Sequence, residues 1–215
     1  MRLPVVVIGA VISAWAIAGY GQTTATCDQT LTAPLHARSM LNIDSRPAGL
    51  EIVGTDEDKI HVTCHRNGTD DDNVEGIRLR FSPNAVGGKL SIDGQIVRRN
   101  NGVQIRIEIP KKTRLTVRMF AGQVTVEQIS GDKDISLGAG QITISNHNWN
   151  YRSVDASVGI GQVNAPMYDQ QKGGFFRSVT KSNQGGEYRL RAHVNTGQID
   201  LQGRLATPGS APKPD

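Results

Sequence analysis

The sequence predicts an all-β fold, a β-solenoid or β-helix-like stack of short strands with an N-terminal strand-and-hairpin part. Three observations lead to this fold class. Apolar and polar residues alternate over short runs along most of the chain, which is typical of half-buried strands. The 215 residues include 24 glycines but only 5% aromatic residues, so Val and Ile supply the apolar side chains and glycine supplies turns. A Gly-Gln pair also recurs four times in the second half.

Length and composition exclude several other classes of protein. The length corresponds to one or two domains, and we expect a single domain over residues 22–203. The 24 basic and 20 acidic residues are nearly balanced, unlike the composition of a disordered chain. The basic residues are scattered rather than gathered on one stretch, so nucleic acid is not expected as a partner.

The first residues predict export from the cytoplasm. Met1-Arg2 provides a short positive start, residues 3–18 contain no charge, and small residues follow up to Gly21. This apolar run is short for a membrane span but suits a secretory signal peptide. We expect a signal peptide over residues 1–21, with Ala18 as the alternative cleavage position, and no transmembrane span after cleavage. The expected location is periplasmic, outer-surface or extracellular.

The two cysteines predict a disulfide. Cys27 and Cys64 both lie in the expected mature chain, and thiols in an oxidising compartment normally pair. Residues 60–65 alternate as a strand, with Cys64 on its apolar face. His61 and His65 occupy the other face about 13 Å apart at the usual strand rise, so they are not expected to share a metal ion. We predict no metal site and no cofactor.

The rest of the first half reads as consecutive strands separated by turns. Turns are expected at residues 55–58 and at Gly87-Gly88, and Asn100-Asn101-Gly102 is a hairpin signal. Pro110 is expected to end the last of these strands. The predicted strands cover residues 49–54, 60–65, 77–81, 89–92 and 103–109.

The second half carries the repeat, which we expect over about residues 113–203. Its Gly-Gln pairs follow one another at intervals of 18, 21 and 36 residues. Positions five and three before each glycine, and two and four after it, are apolar in all four copies. A strand, a glycine corner and a second strand therefore repeat, as in a solenoid rung. The pairs are Gly122-Gln123, Gly140-Gln141, Gly161-Gln162 and Gly197-Gln198.

The interval of 36 residues lacks the repeat at its midpoint. Residues 173–180 and 188–191 are instead predicted to form a hairpin that interrupts the solenoid and closes its end, because an open end needs a cap. Residues 204–215 contain three prolines and no apolar period, so we expect a disordered tail there.

These features resemble the bacterial adhesin-like family of the DUF4097 type. The resemblance rests on the signal segment, on residues 49–54, on the strand that ends at Pro110 with residues 115–117 after it, and on the glycine-led repeats. It covers about residues 43–201. It implies a secreted or envelope-associated β-helical domain without an established reaction, and it offers no catalytic residues to carry over.

Two sets of side chains are candidates for ligand contact. The four repeat glutamines either stack as a ladder in which each amide bonds to the next, or form an outward polar stripe that touches a ligand. Trp149 and Tyr151 lie in an Asn-rich stretch, and Phe175 and Phe176 follow Gly173-Gly174. These aromatic residues either stack on a sugar or a partner protein, or simply cover a face of the solenoid.

The sequence contains none of the common short catalytic motifs. It lacks a Gly-x-Ser-x-Gly elbow, a His-Glu-x-x-His pair and a phosphate loop. We therefore predict a structural or interaction module of the bacterial envelope, not an enzyme, with an envelope protein or a glycan as partner.

Two alternatives to this function stay open. One is a carbohydrate-active β-helix enzyme of the polysaccharide lyase or hydrolase type, which a groove with two or three carboxylates would favour. The other is an envelope-stress accessory that binds a membrane partner through an exposed sheet edge.

Overall fold

The computed structural model describes residues 21–46, 48–66, 76–94 and 103–205, with side chains except at 48, 146–149 and 204–205. Residues 1–20 of the expected signal peptide, the hairpin signal at residues 100–102 and nearly all of the expected tail lie outside the described residues. The described chain is almost entirely β-strand, with one short 3₁₀ turn at Pro166–Tyr168, which confirms the all-β prediction. None of its helical segments is long and apolar enough to cross a membrane.

The strands join into one 13-stranded sheet that folds over on itself into two layers. The early strands each belong to one layer, whereas the five last strands bend at a glycine and contribute to both. The strands are β1 (Thr23–Thr26), β2 (Leu31–Pro34), β3 (Met40–Ser45), β4 (Ala48–Thr55), β5 (Lys59–Arg66), β6 (Arg78–Asn84), β7 (Gly87–Asp93), β8 (Val103–Pro110), β9 (Arg114–Glu127), β10 (Lys133–Trp149), β11 (Tyr151–Ala165), β12 (Gln170–Ser182) and β13 (Tyr188–Leu205).

The two layers are stacked rung upon rung. In the first layer the strand order is β1-β6-β7-β3-β9-β10-β13-β11-β12. In the second layer β2, β5, β8 and β4 lie side by side and continue into the second halves of the same long strands. Each step along the stack therefore adds one strand to each layer. This arrangement confirms the solenoid-like stack predicted from the repeat.

The glycine corners lie in register, as the repeat predicts. Gly140 is paired with both Gly122 and Gly197, and Gly197 is also paired with Gly161. All four have φ between 130° and 145°, a backbone conformation that favours glycine. The inward-facing positions change parity across the corner: Met119 before it and Val124 after it are both buried. Each long strand thus turns its apolar side chains towards one shared core in both layers.

The order of the rungs in space differs from their order in the sequence. β13 lies between β10 and β11, so the fourth Gly-Gln pair stands between the second and the third. The predicted hairpin of residues 173–180 with residues 188–191 is wrong, because β12 pairs with β11 and β13 pairs with β10 and β11. β13 carries the apolar template and is buried between two similar strands. β12 is exposed along most of its length and occupies the edge.

The β6–β7 hairpin also differs from the prediction. Its turn is formed by Ala85 and Val86, whereas Gly87 and Gly88 already belong to β7. These glycines allow close approach rather than chain reversal: a Cβ on Gly88 would lie 2.4 Å from the ring of Phe81. The glycine pair therefore indicates tight packing against a neighbouring strand. β8 ends at Pro110 as predicted and pairs with β4 and β5 in the second layer.

The predicted disulfide between Cys27 and Cys64 is confirmed. It joins the segment after β1 to β5, with 5.3 Å between the two Cα atoms and a sequence separation of 37 residues. Cys27 is buried among the core residues at this end of the stack. The bond therefore pins the two short outer strands, β1 and β2, to the body of the solenoid.

Removal of this disulfide is expected to lower the free energy of unfolding by about 3 kcal/mol, because the unfolded chain gains the freedom that the cross-link removes. The variant is Cys27→Ala with Cys64→Ala, measured by urea denaturation. Reduction of the unsubstituted chain should reproduce the same loss, and the reductant should leave the variant unchanged. Equal stability of the variant and the oxidised chain would contradict a stabilising bond.

Candidate functional site

A groove of about 640 Å³ runs along the corner of the solenoid and crosses the last rungs of the stack. We call it the corner groove. Its floor is formed by the backbone of the corner glycines, and glutamine side chains form one flank. The lining residues are Gln123, Gly140, Gln141, Gly161, Gln162, Gly173, Gly174, Gly197 and Gln198. The repeat that builds the corner therefore also builds the groove.

The floor of the corner groove has to be glycine. A Cβ on Gly140 would lie 1.8 Å from the carbonyl oxygen of Gly122, and one on Gly161 would lie 1.7 Å from that of Gly197. Successive rungs approach too closely at this point for any side chain. The strands can stack only when the corner carries no side chain. The same lack of side chains leaves the groove open.

The polar flank is organised around Asp200, which is only 8% exposed. Its carboxylate accepts hydrogen bonds from Gln141 Nε2 at 2.7 Å, Gln198 Nε2 at 2.8 Å and Asn164 Nδ2 at 2.7 Å. Asn164 Oδ1 in turn accepts a bond from Gln162 Nε2 at 2.5 Å. Four side chains from three neighbouring strands are therefore locked into one network with Asp200.

This network decides between the two alternatives for the glutamines. They stack side by side, in the order Gln123, Gln141, Gln198, Gln162 across the rungs. The amides of Gln141 and Gln198 bond to Asp200, however, and that of Gln162 bonds to Asn164. A ladder in which each glutamine bonds to the next is not what holds them. They form an outward polar stripe along the corner groove, and its contact with a ligand stays a prediction.

On the side of the corner glycines away from the glutamines, a row of partly or fully exposed residues adjoins the corner groove without belonging to its lining. We call this row the apolar flank. Each of its residues is adjacent to a corner glycine, and they lie in register from strand to strand. Ile160 is 49% exposed and Phe175, on the edge strand, is 67% exposed. In spatial order the residues of this flank are Ala121, Ala139, Thr196, Ile160 and Phe175.

The structure separates the four aromatic candidates. Phe175 and Phe176 are 67% and 87% exposed, so both rings are open to a partner. The prediction for Tyr151 is wrong: the residue is 3% exposed, because as the first residue of β11 it faces the core. Its hydroxyl group meets the ammonium group of Lys133. Trp149 ends β10, and its side chain lies outside the described residues.

Lys133 is a buried titratable group that sequence reasoning missed, because a lysine at a strand start reads as exposed. It is 2% exposed, and Nζ donates to the carbonyl oxygens of Ile129 at 2.5 Å and Gly131 at 3.2 Å as well as to Tyr151 Oη. Burial lowers the pKa of Lys133 to about 7, against a smaller opposing effect of Asp132. Because the N–H groups of Lys133 bond to these three oxygen atoms, Lys133 holds the turn between β9 and β10.

Asp200 and Asn164 are the other residues that sequence reasoning missed. Both occupy the position three residues after a corner glycine, where the first two copies of the repeat have Thr125 and Thr143. The signal in the sequence is that only one copy of the repeat, with Asp200, has a charged residue at this position. The position faces outward, so the burial of Asp200 arises from the amide side chains that cover it.

A separate charged cluster lies on the same layer, across β4 and β8. Arg106 Nη1 is 2.5 Å from Glu51 Oε1, and Arg106 Nε is 3.0 Å from Glu108 Oε1. The hydrogen bond to Glu108, together with the charge of Glu51, raises the pKa of Arg106 against the opposing effect of burial. Both carboxylates are thus paired with one guanidinium group.

A second hollow, of about 600 Å³, lies between the turns that precede β3 and β7. Small and apolar residues such as Ala33, Leu35 and Pro83 line much of it, together with Gly21, the first described residue. It does not gather repeated polar groups as the corner groove does. We therefore take the corner groove as the candidate site.

Comparison with known proteins gives a fold relationship. No family model matches the chain, and no curated protein matches it. Among solved structures it is similar to a "putative cell adhesion protein" from Clostridium sporogenes, with 14% identity, a TM-score of 0.50, and coverage of 82% of this chain and 99% of that one. At this identity the likeness shows a shared fold alone. A "putative lipid binding protein" from Parabacteroides distasonis matches at 10% identity over 56% of each chain, and its TM-score of 0.19 is too low to show a shared fold. The resemblance to the DUF4097 type stays a prediction.

Proposed function

We propose that this chain is an exported, adhesin-like binding module of the bacterial envelope, without catalytic activity, and that it binds glycans in the corner groove. The observation that carries the proposal is an amide-lined groove beside which an apolar flank ends in the exposed ring of Phe175. A sugar ring presents hydroxyl groups at its edge and an apolar face. It therefore matches both flanks at once.

The spacing of the rungs supports a chain-like ligand. Adjacent strands lie about 4.8 Å apart, which is close to the length that one sugar ring adds to an extended glycan. Gln123, Gln141, Gln198 and Gln162 present one amide per rung in this order. An oligosaccharide lying along the groove would thus meet an amide at each successive ring.

Several features favour a binding module over the enzyme alternative. The carboxylate of Asp200 is covered by amides, and those of Glu51 and Glu108 are both paired with Arg106. Such groups hold structure rather than exchange protons with a substrate, since a general acid needs a free, suitably tuned carboxyl group. Export is supported by the disulfide. The solved structure with the same fold, described as a "putative cell adhesion protein", supports an adhesin-like role.

The edge strand β12 argues against partner binding by strand addition. Lys172 Nζ donates to the carbonyl oxygen of Ser178 at 3.0 Å, and Arg177 Nε donates to that of Gly173 at 3.1 Å. Phe176, with φ of 48°, also departs from the extended backbone. Basic side chains and irregular backbone are devices that protect sheet edges. They disfavour the envelope-accessory alternative in its sheet-edge form.

The test is a glycan-binding screen with the expected mature chain, residues 22–215. We expect saturable binding that Phe175→Ala weakens about tenfold, since an aromatic contact contributes about 1 kcal/mol or more. Gln184→Ala, an exposed amide in the β12–β13 loop, is the matched control and should bind as the unsubstituted chain does.

Three results would count against the proposal. Equal binding by the chain and the Phe175→Ala variant would place the site elsewhere, and capture of an envelope protein without glycan binding would make protein recognition the function. Release of shortened oligosaccharides during the assay would instead favour the enzyme alternative.

A further inference from the structure

The hydrogen-bond network fixes which atoms the corner groove offers to a ligand. A carboxylate accepts hydrogen bonds and donates none, so every amide in contact with Asp200 must turn its NH2 group towards it. Gln141, Gln198 and Asn164 all do so, at 2.7–2.8 Å. The orientation of these amides follows from the chemistry of Asp200.

The same logic extends one step further along the groove. Asn164 uses its NH2 group for Asp200, so its Oδ1 is an acceptor and Gln162 must donate to it. The amide nitrogens of the glutamines on β10, β13 and β11 are therefore directed into this network. An NH2 group has two N–H donors, so these bonds fix the direction of each amide rather than exhaust it, and they turn Oε1 of Gln141, Gln198 and Gln162 away from Asp200.

The charge of Asp200 reinforces this polarity. In the part of the chain that the structure describes, its hydrogen-bond partners are neutral amides, and no Lys, Arg or His forms an ion pair with it. A negative charge thus lies directly behind a row of acceptor oxygens. Ligand groups that donate hydrogen bonds are attracted to such a surface, and anionic groups are repelled from it.

We propose that the corner groove selects uncharged, hydroxyl-rich glycans and rejects glycans whose groups are carboxylates, sulfates or phosphates. This inference rests on the proposed function and adds the chemical class of the ligand. Asp200 is the residue that sets the class: it does not touch the sugar, but it orients the glutamines that do. It is therefore a positioning residue for specificity.

The test compares a neutral glucan oligosaccharide with its sulfated derivative, so that the two probes share one backbone. The unsubstituted chain is expected to bind the neutral probe at least about tenfold more tightly, the ratio that one unfavourable polar contact produces. In Asp200→Asn the new amide can donate as well as accept, so the glutamines lose their fixed orientation. We expect weaker binding of the neutral probe and a smaller ratio between the probes. Asp155→Asn, which removes the same charge from the outer face of the first layer, should leave the ratio unchanged.

Gln141→Met provides a second variant, should Asp200→Asn fail to fold. It removes one acceptor oxygen without adding charge and should weaken the neutral probe specifically. If the unsubstituted chain binds neither of the two probes and no glycan in the screen, the proposed function itself is overturned. Glycan binding with equal or tighter affinity for the sulfated probe would overturn only the selectivity. Binding abolished by a chelator would show that the oxygen row holds a cation, which would also overturn it.

Discussion

The Gly197→Ala variant is expected not to reach the native fold. Gly197 lies on β13, between β10 and β11, and has φ of 145°, which a residue with a side chain adopts only with strain. A Cβ there would lie 1.8 Å from the carbonyl oxygen of Gly140 and 2.8 Å from its carbon, and neither backbone atom can move without separating the rungs. We expect a loss of more than about 4 kcal/mol, which is comparable to the whole stability of many domains.

The matched control for this variant is Gly185→Ala. Gly185 lies in the exposed loop between β12 and β13, where the nearest atom to an added Cβ is Asn183 Oδ1 at 3.7 Å. We expect its free energy of unfolding to stay within about 1 kcal/mol of the unsubstituted chain. Circular dichroism and urea denaturation measure both variants. Similar stabilities for the two would contradict the close stacking of the corners.

The corners also show how far the fold could be predicted from the sequence. Each corner has a glycine followed by an outward residue, with apolar positions of period two on both sides. This pattern predicts both the bend and the in-register stacking. The order of the rungs could not be predicted in this way, because the four copies of the template are interchangeable in their apolar pattern. Only the polar pattern of β12 distinguishes an edge strand, and that pattern fits a hairpin with β13 as well as the observed pairing with β11.

The candidate site was predictable on one flank and not on the other. The glutamines share a fixed offset from the corner glycines, so their row follows from the repeat alone. The apolar flank depends on register between β11 and β12, and the role of Asp200 depends on β13 lying between β10 and β11. Both require the spatial order of the strands. The prediction for Tyr151 is wrong for a local reason, because the Asn-rich stretch ends at Asn150 and Tyr151 begins β11 with its side chain in the core.

The structural and functional roles of the repeat are carried by different positions. The glycines are fixed by stacking, because any Cβ would meet the backbone of the next rung. The residues beside them lie outside the core. From Ala121 to Phe175 on the apolar flank they differ between rungs, whereas from Gln123 to Gln162 on the other flank all four are glutamine. The solenoid can therefore change what its corner groove recognises without changing how it folds.

The stability of the chain is expected to depend strongly on pH because of Lys133. The pKa of Lys133 is about 7 in the folded chain, whereas in the unfolded chain it has the ordinary lysine value of 10.5. Between these two values the unfolded chain holds a proton that the folded chain does not, so the free energy of unfolding rises with pH. The slope is about 1.4 kcal/mol per pH unit, and the total amounts to about 4 kcal/mol from pH 7 to 10.5. Below pH 7 Lys133 is protonated in both the folded and the unfolded chain, so it no longer makes the free energy of unfolding depend on pH.

The Lys133→Met variant isolates this effect, since methionine fills similar space without a titrating group. Urea denaturation from pH 6 to 9.5 should give a free energy of unfolding that rises for the unsubstituted chain above pH 7 and lacks this rise in the variant. The difference between the two cancels the contributions of other titrating groups, including Tyr168 and Tyr188, whose pKa values burial raises. Lys112→Met, at an exposed position in the turn after β8, should keep the full slope. Parallel curves for Lys133→Met and the unsubstituted chain would mean that the Lys133 ammonium group is as stable inside the fold as in water, held by the oxygens of Ile129, Gly131 and Tyr151.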